Sequence, residues 1–215
     1  GDFSVAVRHI TAAYRAGADA VRLPVYRTER CLHVASGKEF ARWKRCELRF
    51  GELSRLSDLA RELGIEFIAS PLDIESVEPL IELSSRFRIG SGDNDFLPLI
   101  SAIAATGKPI LLSTGGSDLD RIARSVDTLL GRRALDRLPT ALTLMHAVCW
   151  KPTPPEATNL RAINTLSRRF ALPVGYSDHS LWTEACELSV AVGATIVEKG
   201  LSLETLPVGE TGEPQ

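Results

Sequence analysis

Short apolar runs alternate along the chain with longer stretches of helical period, and each run ends in a small cluster of polar residues. Val21 leads into Arg22, Phe67-Ile68-Ala69 into Ser70-Pro71, and Phe87-Arg88-Ile89-Gly90 into Ser91-Gly92-Asp93. Ile110-Leu111-Leu112 leads into Ser113-Thr114-Gly115, and Leu142-Thr143-Leu144-Met145 into His146. Val174-Gly175-Tyr176 leads into Ser177-Asp178-His179, and Ile196-Val197 into Glu198-Lys199. This alternation predicts βα units and a parallel sheet. In a parallel barrel the chemistry gathers at the C-terminal ends of the strands. Here those ends carry hydroxyls, cations, carboxylates and imidazoles, a repertoire suited to a phosphorylated anion.

The pattern predicts strands over 20–25, 66–69, 86–90, 109–112, 141–145, 173–176 and 195–198. A first helix over 4–16 places Ala6, Ile10, Ala13 and Tyr14 on one face, with Gly17 as its C′ residue. Further helices are expected over 52–63, closed by Gly64, and from an Asp73 cap to about Leu83. Others begin near Leu97-Pro98, run over 118–130 behind a Ser117 cap, and cover 160–170 and 181–192. Leu119, Ile122, Val126 and Leu129 form the apolar stripe of the 118–130 helix. The stretch 28–48 is polar and poorly periodic, so its length makes it a candidate functional loop.

About seven strands are counted, where a closed barrel of this kind needs eight. Gly1-Asp2 stands directly before a helix, and only a short polar tail follows the last strand. The expectation is therefore an α/β chain forming a TIM (β/α)8 barrel that is incomplete, with its first strand and last helix missing. An open doubly wound sheet is the alternative architecture. No linker divides the chain, so 1–215 reads as one domain.

Composition is that of an ordinary globular protein, 44% hydrophobic and 24% charged, with a net charge of −2. Nothing in that balance suggests nucleic acid or an anionic membrane as a partner. No apolar run approaches the ~20 residues of a membrane span and no signal peptide opens the sequence. Cys31, Cys46, Cys149 and Cys186 are scattered without a CxxC pair, which reads as reduced thiols in a cytoplasmic enzyme.

Several strand ends could carry chemistry. Ser113-Thr114-Gly115-Gly116 offers hydroxyls, mobile backbone N–H groups and a following helix N-terminus, all favourable to a phosphate; an ordinary βα turn would look the same. Arg22 and Arg88 lie in or at the end of strands, where a guanidinium needs an anionic partner, either a ligand or a carboxylate such as Glu198. His146 and His179 could ligate a metal, transfer protons or serve as hydrogen-bonded structural residues. Ser177 and Asp178 point to opposite faces of a regular strand, so they do not build a hydrolase triad with His179. Lys151-Pro152-Thr153-Pro154-Pro155-Glu156 is a stiff loop suited to lying over the strand ends, with Trp150 as part of its packing.

Taken in order, these segments resemble the N-acetylneuraminate (sialic acid) synthase family over essentially the whole chain. The resemblance rests on Ala16-Gly17-Ala18-Asp19-Ala20-Val21, Ser70-Pro71-Leu72-Asp73, Ile89-Gly90-Ser91-Gly92-Asp93 and Gly107-Lys108-Pro109 through Ser113-Thr114-Gly115. His146, Pro152-Thr153-Pro154-Pro155-Glu156, Asn159-Leu160-Arg161-Ala162-Ile163, Gly175-Tyr176-Ser177-Asp178-His179 and Glu198-Lys199 extend it. It implies a TIM barrel that condenses phosphoenolpyruvate with N-acetylmannosamine or a related amino sugar to a nine-carbon sialic-type acid. It also implies a divalent metal, Mn²⁺ or Mg²⁺, that activates the sugar aldehyde as a Lewis acid. Ser70, Ser91, Ser113 and Ser177 fall at phosphoenolpyruvate-binding positions, and Arg22 and Arg88 where the family has lysines that contact this substrate. His179 matches one of two metal-binding histidines. The family's partner-subunit contacts leave room for a homodimer.

The same comparison marks departures. Gly200 stands where the second metal histidine is expected, and Cys149 and Lys151 replace an Asn or Ser and a Tyr beside the substrate. The tail Leu206-Pro207-Val208-Gly209-Glu210 lacks the family's Pro-Gly-Pro-Asp. The family's first strand, with its Glu and its His-Asn-Gly turn, would precede Gly1, and no C-terminal antifreeze-like domain is expected. These departures imply impaired turnover. Two other readings stand beside that one: an active relative using a different aldehyde, with Arg22 and Arg88 holding the phosphate, and a non-catalytic binding or scaffold remnant of the barrel.

Overall fold

The computed structural model describes residues 1–131 and 142–203. Seven parallel strands pair in sequence order: β1 (Ala20–Val25), β2 (Glu66–Pro71), β3 (Arg86–Ile89), β4 (Ile110–Ser113), β5 (Leu142–Ala147), β6 (Val174–Asp178) and β7 (Val197–Lys199). Strictly sequential order rules out the doubly wound alternative, whose strand order reverses at a switch point. The sheet is also strongly curled. Strands lie about 4.8 Å apart, so β1 and β7 would be roughly 29 Å apart in a flat sheet. Instead Arg22 on β1 meets Glu198 on β7 at 3.3 Å, and Arg88 on β3 meets the same carboxylate at 2.9 Å. The architecture is thus a parallel α/β sheet curled into an incomplete barrel.

Its helices are α1 (Phe3–Arg15), α2 (Thr28–Cys31), α3 (Lys38–Cys46), α4 (Phe50–Leu63), α5 (Leu97–Ala105), α6 (Leu119–Gly131), α7 (Arg161–Phe170) and α8 (Glu184–Ala191). The main core lies between the sheet and these helices. Ile10, Leu56, Ile100, Ile103, Ile122, Val126, Leu129 and Ile163 pack there on Phe67, Phe87, Ile89, Leu112, Leu144 and Tyr176. Alternate strand residues face inward, where Ile68, Leu111 and Met145 form a separate small cluster with Ala20 and Ile196. Gly175 belongs to this inner layer: a Cβ there would lie 2.6 Å from Met145 Sδ and 2.7 Å from Ile196 O, so only glycine lets Met145 cross it. At the N-terminal end of the strands, Arg86 pairs with Glu66 at 2.8 Å.

Several expectations change. The stretch 28–48 is not an irregular loop but folds as α2, a 3₁₀ turn (Val34–Ser36) and α3. It is anchored from within: Glu47 accepts from Thr28 N at 3.0 Å and Thr28 Oγ1 at 2.8 Å, and pairs with Arg27 and Lys44. Trp43 of α3 also packs on Tyr26, with ring centroids 4.8 Å apart, but neither helix buries an apolar residue, so no deep apolar stripe marks the segment in the sequence. The helix expected from Asp73 is instead two 3₁₀ turns, Ile74–Ser76 and Glu78–Leu80. Asp73 caps the first by accepting from Ser76 N at 2.9 Å, but Pro79 has no N–H to continue an α-helical ladder. Ser117 does not cap α6; Asp118 does, accepting from Arg121 N at 2.8 Å. Leu119 and Tyr14, placed on buried stripes, are exposed. Part of the strand expected over 141–145 and the tail 206–210 lie outside the described residues.

Candidate active site

Because Phe87, Ile89, Ile110, Leu112, Leu144 and Tyr176 face the helices, Arg88, Ser113 and Ser177 face the interior of the curl. Arg22, Ser70 and Glu198 share that inward set at the C-terminal ends of their strands. Glu198 is its centre. One carboxylate oxygen accepts from Arg22 Nη2 at 3.3 Å and Ser177 Oγ at 3.1 Å; the other accepts from Arg88 Nε at 2.9 Å. Arg88 is buried, and its Nη1 also donates to the Ile89 carbonyl. Burial works to raise the Glu198 pKa, but Arg88 and Arg22 outweigh it and hold the group below the usual carboxylate range. A planar carboxylate therefore sits between two guanidiniums and a hydroxyl.

A second cluster is built by the neighbouring strand ends. Ser91 Oγ lies 2.8 Å from Ser113 Oγ. Gly115 brings the following turn against them. A Cβ on Gly115 would lie 2.7 Å from Ser91 Oγ, 3.0 Å from Cys149 Sγ and 3.1 Å from Ala147 O, so the backbone approaches as closely as it does only because no side chain intervenes. Gly116 follows with φ of +71°. Asn94, which the sequence reading did not select, is buried behind the turn and hydrogen-bonded to Gly115 and Ser117.

His179 follows β6, half-buried. Burial and then Lys151 lower its pKa, so the imidazole is neutral at neutral pH. Its carbonyl accepts from Thr153 N at 3.0 Å, which ties the 151–156 loop to this strand end as expected. Trp150 stands outside that packing, 64% exposed. Lys151 and Cys149 are exposed at the same end of the strands.

Other sequence candidates are occupied elsewhere. Ser70 Oγ donates to the Arg88 carbonyl at 2.7 Å and so braces β3. His146 faces the helices, bonded through Nε2 to Thr158 O at 2.9 Å and stacked on Tyr176, a structural histidine. Asp178 also faces outward. It accepts from Tyr176, from Ser180 N and Oγ, from Cys186 and from Lys199, whose ammonium is held on that side of β7. All four cysteines are free thiols.

The described residues do not fit a metal site of their own. Among the described residues no three His, Cys, Asp or Glu side chains come together for an ion. Asp178 is committed to Lys199 and Glu198 to the arginines, so neither of these two carboxylates is free to join His179. Mn²⁺ titrated into the chain and followed by electron paramagnetic resonance should stay essentially free at micromolar concentrations; tight binding lost in His179→Ala would contradict this.

A hollow of about 260 Å³ lies apart from these groups, between α4 and the 3₁₀ turns after β2. Arg27 and Arg30 on its rim are already paired with Glu47, Asp73 and Glu75.

Residues 9–210 match the profile of the NeuB family. The chain belongs to this family. It is 38% identical to an uncharacterised protein of Methanocaldococcus jannaschii over 95% of this chain and 59% of that protein. It is 31% identical to the N,N'-diacetyllegionaminic acid synthase of Legionella pneumophila, over 95% of this chain and 61% of the synthase. The solved N-acetylneuraminic acid (sialic acid) synthetase of Leptospira borgpetersenii, in complex with citrate, superposes with a TM-score of 0.84 at 30% identity, covering 92% of this chain and 67% of that one. The chain thus spans about 60% of the length of these two relatives.

Proposed function

We propose that this chain is the substrate-binding barrel of a phosphoenolpyruvate-dependent synthase of nine-carbon sugar acids. The observation that carries the reading is the meeting of Arg22, Arg88 and Ser177 around one carboxylate, next to the Ser91–Ser113 pair. Phosphoenolpyruvate carries two anionic ends, and the inward layer offers two matching places. The arginine pair already accommodates a planar carboxylate, that of Glu198, so it suits the substrate's carboxylate. The hydroxyls of Ser91 and Ser113 and the Gly115-Gly116 backbone suit the phosphate. The names of the related synthases support the product class, a sialic-type sugar acid.

In this reading the enol carbon of phosphoenolpyruvate bonds to the aldehyde carbon of an amino sugar, whose oxygen takes up a proton. Water adds to the resulting electron-poor carbon, and phosphate leaves with its bridging oxygen. The arginines and serines hold the enol donor in place, which lowers the entropic part of the reaction barrier. His179, neutral and beside the same mouth, is placed to accept or donate a proton there.

Calorimetric titration of phosphoenolpyruvate tests the binding step. Arg22→Ala, at a half-exposed position, is expected to fold and to weaken binding at least tenfold, and Arg88→Ala to abolish it. Equal affinity in wild type and both variants would remove the proposal. Failure of the wild type to bind phosphoenolpyruvate, phosphate or pyruvate would favour a non-catalytic barrel.

A further inference from the structure

The serine cluster is held by a residue that touches none of its hydroxyls. Asn94 is 4% exposed and lies in the loop after β3, three residues beyond Ser91. Its Nδ2 donates to Gly115 O at 2.9 Å, and its Oδ1 accepts from Ser117 Oγ at 2.8 Å. Its own carbonyl accepts from Ser125 Oγ of α6 at 2.6 Å. One side chain therefore grips the 113–117 turn at two points, while its backbone is pinned to the helix that the turn leads into. Ser117 gives its hydroxyl proton to this contact, and Asp118 caps α6.

The orientation of the amide follows from its partners. Gly115 O can only accept, so the NH₂ group faces it, and the oxygen is left for the serine proton. Buried groups of this kind are satisfied in one arrangement only, which makes the contact a register pin. The consequence lies on the other side of the turn. Gly115 sits against Ser91 and Cys149 with no room for a methyl group, so a shift of the turn by a few tenths of an ångström moves Ser113 relative to Ser91.

We propose that Asn94 is the positioning residue of the phosphate half of the site: it locks the loop carrying Ser91 to the turn after Ser113, so that the two hydroxyls and the Gly115-Gly116 backbone face one anion together. This rests on the phosphoenolpyruvate reading above. Asn94 acts through Gly115 and Ser117 and contacts no ligand itself.

Asn94→Asp tests it at constant shape. The variant keeps the acceptor for Ser117 but turns a carboxylate oxygen toward the Gly115 carbonyl. Amide hydrogen exchange over 113–117 is expected to quicken at least tenfold without any ligand, with the core strands unchanged. Calorimetry should show inorganic phosphate and phosphoenolpyruvate weakened tenfold or more, while pyruvate, which uses the arginine half, stays within twofold. Ser117→Ala, removing one of the two grips, should give the same selectivity at smaller size. Unchanged exchange and unchanged phosphate affinity in Asn94→Asp would overturn the inference. So would an equal loss for phosphate and pyruvate, which is the mark of general destabilisation. Wild-type protein that binds none of the three ligands would instead sink the phosphoenolpyruvate reading, and the exchange result alone would then decide whether Asn94 pins the turn.

Discussion

Glu198→Gln is expected to destabilise the unliganded chain and to tighten its hold on phosphoenolpyruvate. Arg88 has 5% of its side chain exposed and Glu198 18%, so their ion pair is largely removed from water. Neutralising one member of such a pair leaves the other charge buried with a weaker partner, a loss of about 3–5 kcal/mol when the contact is broken outright. The amide keeps one hydrogen bond to Arg88, which lowers the expected loss to roughly 2–3 kcal/mol. For a chain of this size that corresponds to a fall in Tm of about 4–12 °C. In the wild type, an incoming carboxylate must displace Glu198 from both guanidiniums. The variant removes the competing charge, so phosphoenolpyruvate should bind at least tenfold more tightly and restore most of the lost Tm. Differential scanning calorimetry with and without millimolar phosphoenolpyruvate makes the comparison. A variant that binds the ligand more weakly than wild type would show that Glu198 supports the bound anion rather than competing with it.

The second large effect lies on the opposite face of the same strands. Asp178 has a fully buried carboxylate; burial raises its pKa, but Lys199, Ser180 and Cys186 outweigh that and hold it near about 2. Glu47 is held near about 2 as well, where hydrogen bonds from Thr28 and the charges of Lys44 and Arg27 overcome its burial. Both values lie below the ordinary carboxylate range, so each group binds fewer protons folded than unfolded. The stability they contribute, on the order of 2–3 kcal/mol each, is complete above about pH 5 and is lost as pH falls toward 2. Asp178→Asn should lower Tm by about 6–12 °C at pH 7, because the Lys199 ammonium loses its carboxylate and keeps only the Ser180 and Trp182 carbonyls. It should also flatten the fall in stability between pH 5 and pH 3. An acid limb as steep as that of wild type would assign the loss to other carboxylates. Phosphoenolpyruvate affinity should be little changed at pH 7, since Asp178 faces the helices and not the interior.

The two predictions separate groups that look alike along the chain. Glu198 and Lys199 are neighbours, as are Ser177 and Asp178. Strand alternation sends Ser177 and Glu198 inward to the arginines and Asp178 and Lys199 outward to each other. That the pairs divide between faces follows from local geometry alone. Which face is the interior does not, because it depends on the handed curl of the whole sheet.

Much of the architecture was legible. Apolar runs bounded by turn residues located all seven strands, and helical stripes located the longer helices, because burying one face of each element against a sheet leaves a periodic trace. The polar residues at strand ends, together with the family resemblance, marked the serine and arginine positions. Glu198 was legible as a partner for either arginine; that it bridges both was not.

What the sequence determined by itself is the set of elements, their order and the chemical character of the strand ends, since these depend on neighbours a few residues apart. Only the tertiary structure decided that Glu198 occupies the space between Arg22 and Arg88, that charge pairs fold 28–48 into helices, and that Asn94 pins a turn more than twenty residues away. The Glu198 contacts join groups separated by up to 176 residues, and they form because the sheet curls until its first and last strands face each other. Closing such distances depends on the summed twist and packing of every strand between them, a quantity that no local window of sequence contains.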